Sequence, residues 1–375
     1  MIGVGDGGPI VENSRRIGLQ GHSGRAWSFP HRTPVPLIAL ILAVCLIAGA
    51  APALTARDTL ELPARLTDQE FWALIVESSE PDGYFRSDNL TSNELGFQAV
   101  IPDLLGRTKP GRAYLGVGPE QNFTYITAVR PSIAIIFDIR RGNMLVQLMY
   151  KALFELARDR ADFMSMLFAR PRPAGLSPES SATELFAAFG SVPPNEALYK
   201  KTLDAIRVHL TSTRHLPIAP ADISGIEYVL STFYYRGYGV RSWPTYADLM
   251  TATDTRGASR SYLATESGFA FLKGLQSRNL VVPVVGDFGG PKAIRAISRF
   301  LKGHGAIVST FYLSNVEQYL VGDGKWQTFC GNVAALPLDQ SSTFIRSSSA
   351  ADRTGRGFVS SLGIMAEEVR GCSQP

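Results

Sequence analysis

Residues 113–143 read AYLGVGPEQNFTYITAVRPSIAIIFDIRRGN, and this stretch decides the fold. A short apolar run reaches Gly116 and Gly118, a segment long enough for a helix follows, and a second apolar run ends at Asp138. This order is typical of the strand, helix and strand that open a nucleotide-binding α/β fold. There, an acid about 20 residues after the glycines holds a ribose hydroxyl. Asp138 stands at that spacing.

The two glycines allow two interpretations. In a ligand site, they let the backbone approach the ligand, and the helix that follows offers its free N–H groups. In an ordinary strand-to-helix turn they serve only the turn, and Gln121 indeed replaces the third glycine of the G-x-G-x-x-G pattern. The accompanying strand, helix and acid favour the ligand site.

Further strands along the chain also end in polar residues. Residues 280–285 predict a buried strand that ends near Asp287, and residues 306–313 predict another that ends at Ser314 and Asn315. Strands separated by helices indicate an α/β fold with a mainly parallel, Rossmann-like sheet and helices on both faces. Because ligands of such sheets bind beyond the carboxyl ends of the strands, we expect these ends to form one site.

The patterns divide the chain into segments. These are a signal peptide or membrane anchor (1–56), an N-terminal helical segment (57–110), a Rossmann-like domain (111–350) with a large helical insertion (160–278), and a C-terminal tail (351–375). Thr67 and Glu70 have the spacing of a capping box at a helix start. Residues 326–347 predict two closing strands.

The order strand–GxG–helix–strand–acid, then strand–Asp–helix–strand, resembles the class I S-adenosylmethionine-dependent methyltransferase fold. The resemblance covers residues 111–158 and 279–350. It implies S-adenosylmethionine as the cofactor, with the two glycines near its methionine part, Asp138 on its ribose hydroxyls and Asp287 facing cofactor or substrate. Tyr114 stands where the family usually has an acid, and Glu120 where it has a last glycine.

The expected ligand-binding residues share a place at a strand end or at the start of the next helix. They are Gly116, Gly118, Glu120, Asn122, Asp138, Arg140, Asp287, Ser314 and Asn315. No catalytic residue is assigned. No metal site is expected, because the histidines and cysteines after residue 56 lack the spacing of metal ligands.

Residues 1–56 have the order of an export signal. Four arginines precede the apolar residues 37–51, and small residues typical of a cleavage site follow. The apolar run is shorter than the ~20 residues that span a bilayer, which favours cleavage over an uncleaved anchor. The sequence thus predicts an exported protein, periplasmic or extracellular, that contacts the membrane through this segment only if it is not cleaved.

The charge of the chain and its cysteines limit the kinds of partner and of covalent bond that can be expected. The 37 basic and 33 acidic residues nearly cancel, and no basic stripe interleaved with aromatic residues is present, so a nucleic-acid partner is not expected. Cys330 and Cys372 are either a disulfide or two separate thiols. A bond between them would close a loop of roughly 40 residues and contribute up to ~3–4 kcal/mol.

Three functions follow. The first is an exported protein whose methyltransferase-like core binds a nucleoside-like or other small polar ligand, possessing or lacking methyltransferase activity. The second is a non-enzymatic envelope protein that uses the fold as a scaffold and contacts a protein partner through helices in residues 182–280. The third is an NAD(P)-dependent oxidoreductase.

Overall fold

The computed structural model of the chain describes residues 61–350 and 357–372. The predicted signal peptide or anchor, residues 1–56, lies outside the described residues. Among the described residues, no helix is both long and apolar enough to cross a membrane.

A six-stranded sheet lies at the centre of the described residues. Its strands are β1 (Ala113–Val117), β2 (Ile133–Asp138), β3 (Val281–Val285), β4 (Val308–Ser314), β5 (Thr343–Ala350) and β6 (Gly357–Ile364). Their order is β3-β2-β1-β4-β5-β6. The first five are parallel, and β6 runs antiparallel to β5. The predicted α/β class and mainly parallel sheet are therefore confirmed, and the order is compatible with a Rossmann-like fold.

The central strands are apolar because helices cover both faces of the sheet. Every residue of β2 and of β3 is buried, as expected for parallel strands that are enclosed on both sides. Pro283 lies in β3, which is an edge strand, where the missing N–H costs no ladder hydrogen bond.

The helices flank this sheet in chain order. They are α1 (Asp68–Ser78), α2 (Ile101–Arg107), α3 (Gln121–Val129), α4 (Arg141–Leu156), α5 (Arg160–Leu167), α6 (Ala182–Gly190), α7 (Glu196–Val208), α8 (Pro220–Arg236), α9 (Tyr246–Thr251), α10 (Glu266–Ser277), α11 (Ala293–Gly303), α12 (Val316–Gly322), α13 (Trp326–Ala334) and α14 (Met365–Glu368). Short 3₁₀ segments occur at Leu95–Val100 and Gly237–Val240, and a π-helical turn at His209–Thr213. From α5 to α10 the described chain forms no strand.

The segment between α1 and the first 3₁₀ turn crosses the carboxyl ends of the strands. The predicted capping box starts α1: Thr67 Oγ1 accepts from the Glu70 N–H at 3.1 Å, and Glu70 accepts from the Thr67 N–H at 2.7 Å. After α1, residues 79–94 run over the sheet edge, and we call them the roof segment.

One sequence-based expectation is wrong. Residues 326–336 were expected to form a closing strand, but Trp326–Ala334 is helix α13. Its buried residues Phe329, Cys330 and Val333 recur at helical spacing, and α13 packs against α11 and α12. A short apolar run does not distinguish strand from buried helix, so packing decides. Cys330 and Cys372 form a disulfide, with Cα atoms 5.5 Å apart.

Candidate functional site

A cleft of about 400 Å³ lies at the carboxyl ends of β1 to β4. Gly118, Asp138, Asp287, Ser314 and Asn315 line its floor, and all five were expected to bind the ligand. β1 has β2 on one side and β4 on the other, so the cleft lies where the strand order reverses. Open α/β sheets bind ligands at this position.

Residues from the roof segment, from the helices of residues 182–280, which we call the helical block, and from the β4 side complete the cleft. They are Tyr84, Phe85, Arg86, Ser87, Asn89, Thr91, Ser92, Asn93 and Glu94, together with Arg241 from the loop before α9 and Tyr312, Tyr319 and Asp323 from the β4 side. Of these, the polar run 88–94 has the composition of a loop that covers a cleft.

The turn after β1 is closed by its own side chains. Asn122 Nδ2 donates to the carbonyl oxygens of Val117, Gly118 and Pro119, at 2.9, 3.2 and 2.8 Å. Its Oδ1 accepts from Tyr114 Oη at 2.9 Å and lies where a Cβ on Gly116 would be. Gly116 is therefore needed for the approach of Asn122, and neither residue lines the cleft, contrary to expectation.

Glu120 also points inward rather than into the cleft. The residue is fully buried, and its carboxylate accepts from the Ser92 N–H at 3.1 and 3.2 Å. Burial raises the pKa of Glu120 to about 7, against the opposing effects of the Ser92 hydrogen bond and the positive charge of Arg241. A carboxyl group of the protein thus lies beside the start of α3.

Two more helix starts at this edge receive carboxylates from the roof segment. Glu80 accepts from the N–H groups of Asp287, Lys292 and Ala293 at 3.0, 2.7 and 3.0 Å, which caps α11. Asp82 accepts from the Arg141 N–H at the first residue of α4, at 2.6 Å. These carboxylates satisfy N–H groups that a helix start otherwise leaves open to anions.

Asp138 is the acid that remains open to the cleft. It ends β2, is 6% exposed, and accepts from the Arg140 N–H through Oδ1 at 2.9 Å. Within the described residues its Oδ2 makes no hydrogen bond. Burial raises the pKa of Asp138 to about 6, while the Arg140 N–H and the positive charge of Arg140 lower it. The group can therefore accept a hydrogen bond from a ligand at neutral pH.

Arg140 does not line the cleft either. Its guanidinium pairs with Asp88 at 2.8 Å and donates to the Ser87 carbonyl oxygen at 2.8 Å, which holds the roof segment. Arg141 pairs with Asp222 of α8 at 2.7 Å. Both arginines thus bind acids of the protein.

A buried hydrogen-bond network surrounds Glu94. Its carboxylate accepts from Gln121 Nε2 at 2.9 Å and from the hydroxyls of Ser314 and Ser347. Ser314 has a left-handed backbone, with φ of 53°, at the last position of β4. The network ties the roof segment to α3, β4 and β5. At the β3 end, Asp287 pairs with Lys325 at 2.5 Å.

Arg241, Glu94 and Tyr319 line the cleft but were not among the expected ligand-binding residues. Arg241 lies within the helical block, far in sequence from the strands, so only the folded chain brings it to the strand ends. Glu94 lies in the polar run 88–94, whose composition fits capping and turns as well as a loop that closes over a cleft. In the part of the chain that the structure describes, no group of three or more histidine, cysteine or acidic side chains could hold a metal ion.

Comparison with known proteins places this geometry in one family. None of the curated proteins matches the chain. One family model matches residues 90–175 and 231–361, which together are more than half of the chain. The matched residues contain the strand ends of the cleft and Arg241. The chain therefore belongs to the family described as "Domain of unknown function (DUF7790)".

Proposed function

We propose that the cleft binds a nucleoside-like ligand that has no phosphate beside the β1 turn, and that Asp138 accepts hydrogen bonds from its ribose hydroxyls. The position of Asp138 carries this proposal. It ends the strand next to β1, faces the cleft, and keeps Oδ2 without a partner in the described residues. In Rossmann-like folds the acid at this position accepts from a ribose diol.

The start of α3 favours a ligand without phosphate here. A pyrophosphate at such a helix start binds to free N–H groups and needs glycines for close approach. Here the buried Glu120 carboxyl lies at that helix start, and Asn122 fills the space at Gly116. A charged Glu120 beside this helix start would repel a pyrophosphate, and Asn122 fills the space that the glycine would leave for it, which counts against NAD(P).

S-adenosylmethionine is the ligand that the sequence resemblance implies, and it contains no phosphate. Methyl transfer is the reaction that it would support, with the acceptor near the β4 end of the cleft, at Ser314 and Asn315. No side chain is assigned as a catalytic acid or base. Activity is tested by incubating the protein with labelled S-adenosylmethionine and fractionated envelope extract, and measuring label in the products.

Isothermal titration of the full-length protein tests ligand binding. The ligands are S-adenosylmethionine, S-adenosylhomocysteine and NAD. Asp138→Asn should weaken nucleoside binding roughly 10- to 100-fold, since a hydrogen bond to a charged group is worth about 1.5–3 kcal/mol. Asp323→Asn is the matched control, because Asp323 lines the same cleft but is exposed. Tighter binding of NAD, or no binding of any nucleoside, would contradict the proposal.

A further inference from the structure

Arg241 is a charged residue of the cleft that has no hydrogen-bond or ion-pair partner among the described residues. It lies between the 3₁₀ turn Gly237–Val240 and α9, lines the cleft and is half-buried. Across the described residues, its guanidinium makes no hydrogen bond and no ion pair. Holding a long cationic side chain half-buried without a partner costs desolvation energy that a ligand can recover.

The other cation of the cleft and two of its acids have polar partners within the described chain. Asp287 pairs with Lys325, Glu94 accepts from three side chains, and Arg86 donates to Tyr319 Oη at 3.4 Å. Asp138 accepts from a backbone N–H and is the proposed acceptor for ribose. Arg241 therefore differs from them in lacking any contact with a polar group of the described chain.

Glu120 is an acid whose pKa the charge of Arg241 affects. The positive charge of Arg241 lowers the pKa of Glu120, although burial outweighs it. The two side chains nevertheless form no ion pair, and Glu120 uses its carboxylate oxygens on Ser92. The guanidinium thus keeps all its N–H groups available to a ligand in the cleft.

We propose that Arg241 binds a carboxylate of the ligand, so that the ligand is a nucleoside derivative that carries an acid. This inference rests on the proposed function. A guanidinium binds a carboxylate through two parallel N–H bonds. A carboxylate fits better than a phosphate dianion, because the acid Glu94 lines the same cleft and, among the described residues of the cleft, Arg241 is the cation without a hydrogen-bond or ion-pair partner.

Ligand pairs that differ only in the acidic group test this inference on the full-length protein. S-adenosylhomocysteine is compared with its decarboxylated form, 5′-(3-aminopropylthio)adenosine, for a carboxylate, and AMP with adenosine for a phosphate. We expect the carboxylate to strengthen binding roughly 10- to 100-fold. Arg241→Gln should abolish that gain, and Arg241→Lys should retain part of it. Arg236→Gln, at an exposed arginine that does not line the cleft, is the matched control and should leave the gain intact.

The outcomes separate the inference from the proposed function. If nucleosides bind but Arg241→Gln leaves the carboxylate gain intact, or the gain comes from phosphate, the inference falls and the proposed function stands. If no nucleoside binds, the proposed function falls. In that case, NMR of the arginine side chains during an acetate titration tests whether Arg241 binds a carboxylate. A shift of the Arg241 signal that Arg86 does not share supports a carboxylate site, and an unshifted Arg241 signal overturns it.

Discussion

The glycine turns after β1 and β3 contrast with the ends of β2 and β4. At the glycine turns, side chains of the protein fill the space: Asn122 lies against Gly116, and Glu80 against Gly290. At the ends of β2 and β4, Asp138 and Ser314 face the cleft instead.

This difference shows that glycine in a strand-to-helix turn can serve internal packing. Each of these glycines leaves room for a polar side chain that satisfies backbone groups of the turn, which a Cβ would displace. The proposed ligand-binding residues then lie at the ends of the neighbouring strands, at Asp138 and Ser314. Substitutions in the glycine turns and at the ends of β2 and β4 should therefore have different effects on stability and on ligand binding.

The largest expected effect is on the closed turn after β1. Asn122→Ala removes four hydrogen bonds, which include the one from the buried Tyr114 Oη and the one to the Val117 carbonyl oxygen. We expect it to lower the free energy of unfolding by about 2–3 kcal/mol, measured by urea denaturation. Asn315→Ala, at the open end of β4, is the control and should cost less than about 0.5 kcal/mol. Equal losses of unfolding free energy in the two variants would show that the turn after β1 and the end of β4 do not differ in this way.

The second effect concerns the turn after β3. Glu80→Ala removes the carboxylate that caps α11 through three N–H groups. We expect a loss of about 1–2 kcal/mol in the free energy of unfolding, as for other helix caps. Glu77→Ala, an exposed residue near the end of α1, should have little effect. A neutral Glu80→Ala would mean that the α11 start is satisfied without the roof segment.

The third effect is the pH dependence of ligand binding at the open end of β2. The pKa of Asp138 is raised to about 6 by burial, so the folded protein holds this proton more tightly than the unfolded chain. Protonation of Asp138 should therefore stabilise the ligand-free protein as pH falls through 6. The same protonation removes the charged carboxylate that is proposed to accept from the ribose hydroxyls. We expect nucleoside affinity to fall up to about tenfold per pH unit below about 6.

Asp138→Asn supplies the control for that measurement. An amide does not titrate, so the affinity of the variant should be lower at pH 8 and nearly constant down to pH 5. Calorimetric titrations at several pH values record both curves. A wild-type affinity that does not change between pH 5 and 8 would remove Asp138 from the binding site.

The strand ends were predictable from the sequence because their position depends on local order. The strand that ends at Asp138 and the strand that ends at Ser314 follow from apolar runs and their polar ends, and both residues line the cleft. Side-chain direction was not predictable in the same way. Asn122 and Glu120 turn inward because the roof segment and the turn carbonyls offer hydrogen-bond partners, which sequence order does not reveal.

Arg241 and α13 escaped prediction for a related reason. Each depends on contacts between segments far apart in the chain: the loop before α9 reaches the strand ends, and α13 packs on α11 and α12. The capture of a protein partner by the helical block, and export by residues 1–56, stay predictions.

The smallest expected effect on stability is that of Gly118→Ala, which is compared with Gly116→Ala in the same turn. Gly118 has φ of 81° and open space where a Cβ would lie, whereas a Cβ on Gly116 would overlap Asn122 Oδ1 and lie 2.8 Å from Tyr114 Oη. Gly118→Ala should therefore cost only about 1 kcal/mol, from the left-handed backbone, while Gly116→Ala should cost up to about 3 kcal/mol from overpacking. Because Gly118 lines the cleft, its added methyl should weaken nucleoside binding as well. Urea denaturation and calorimetric titration of both variants measure these effects, and a Gly118→Ala protein with unchanged affinity would place the ligand away from the β1 end.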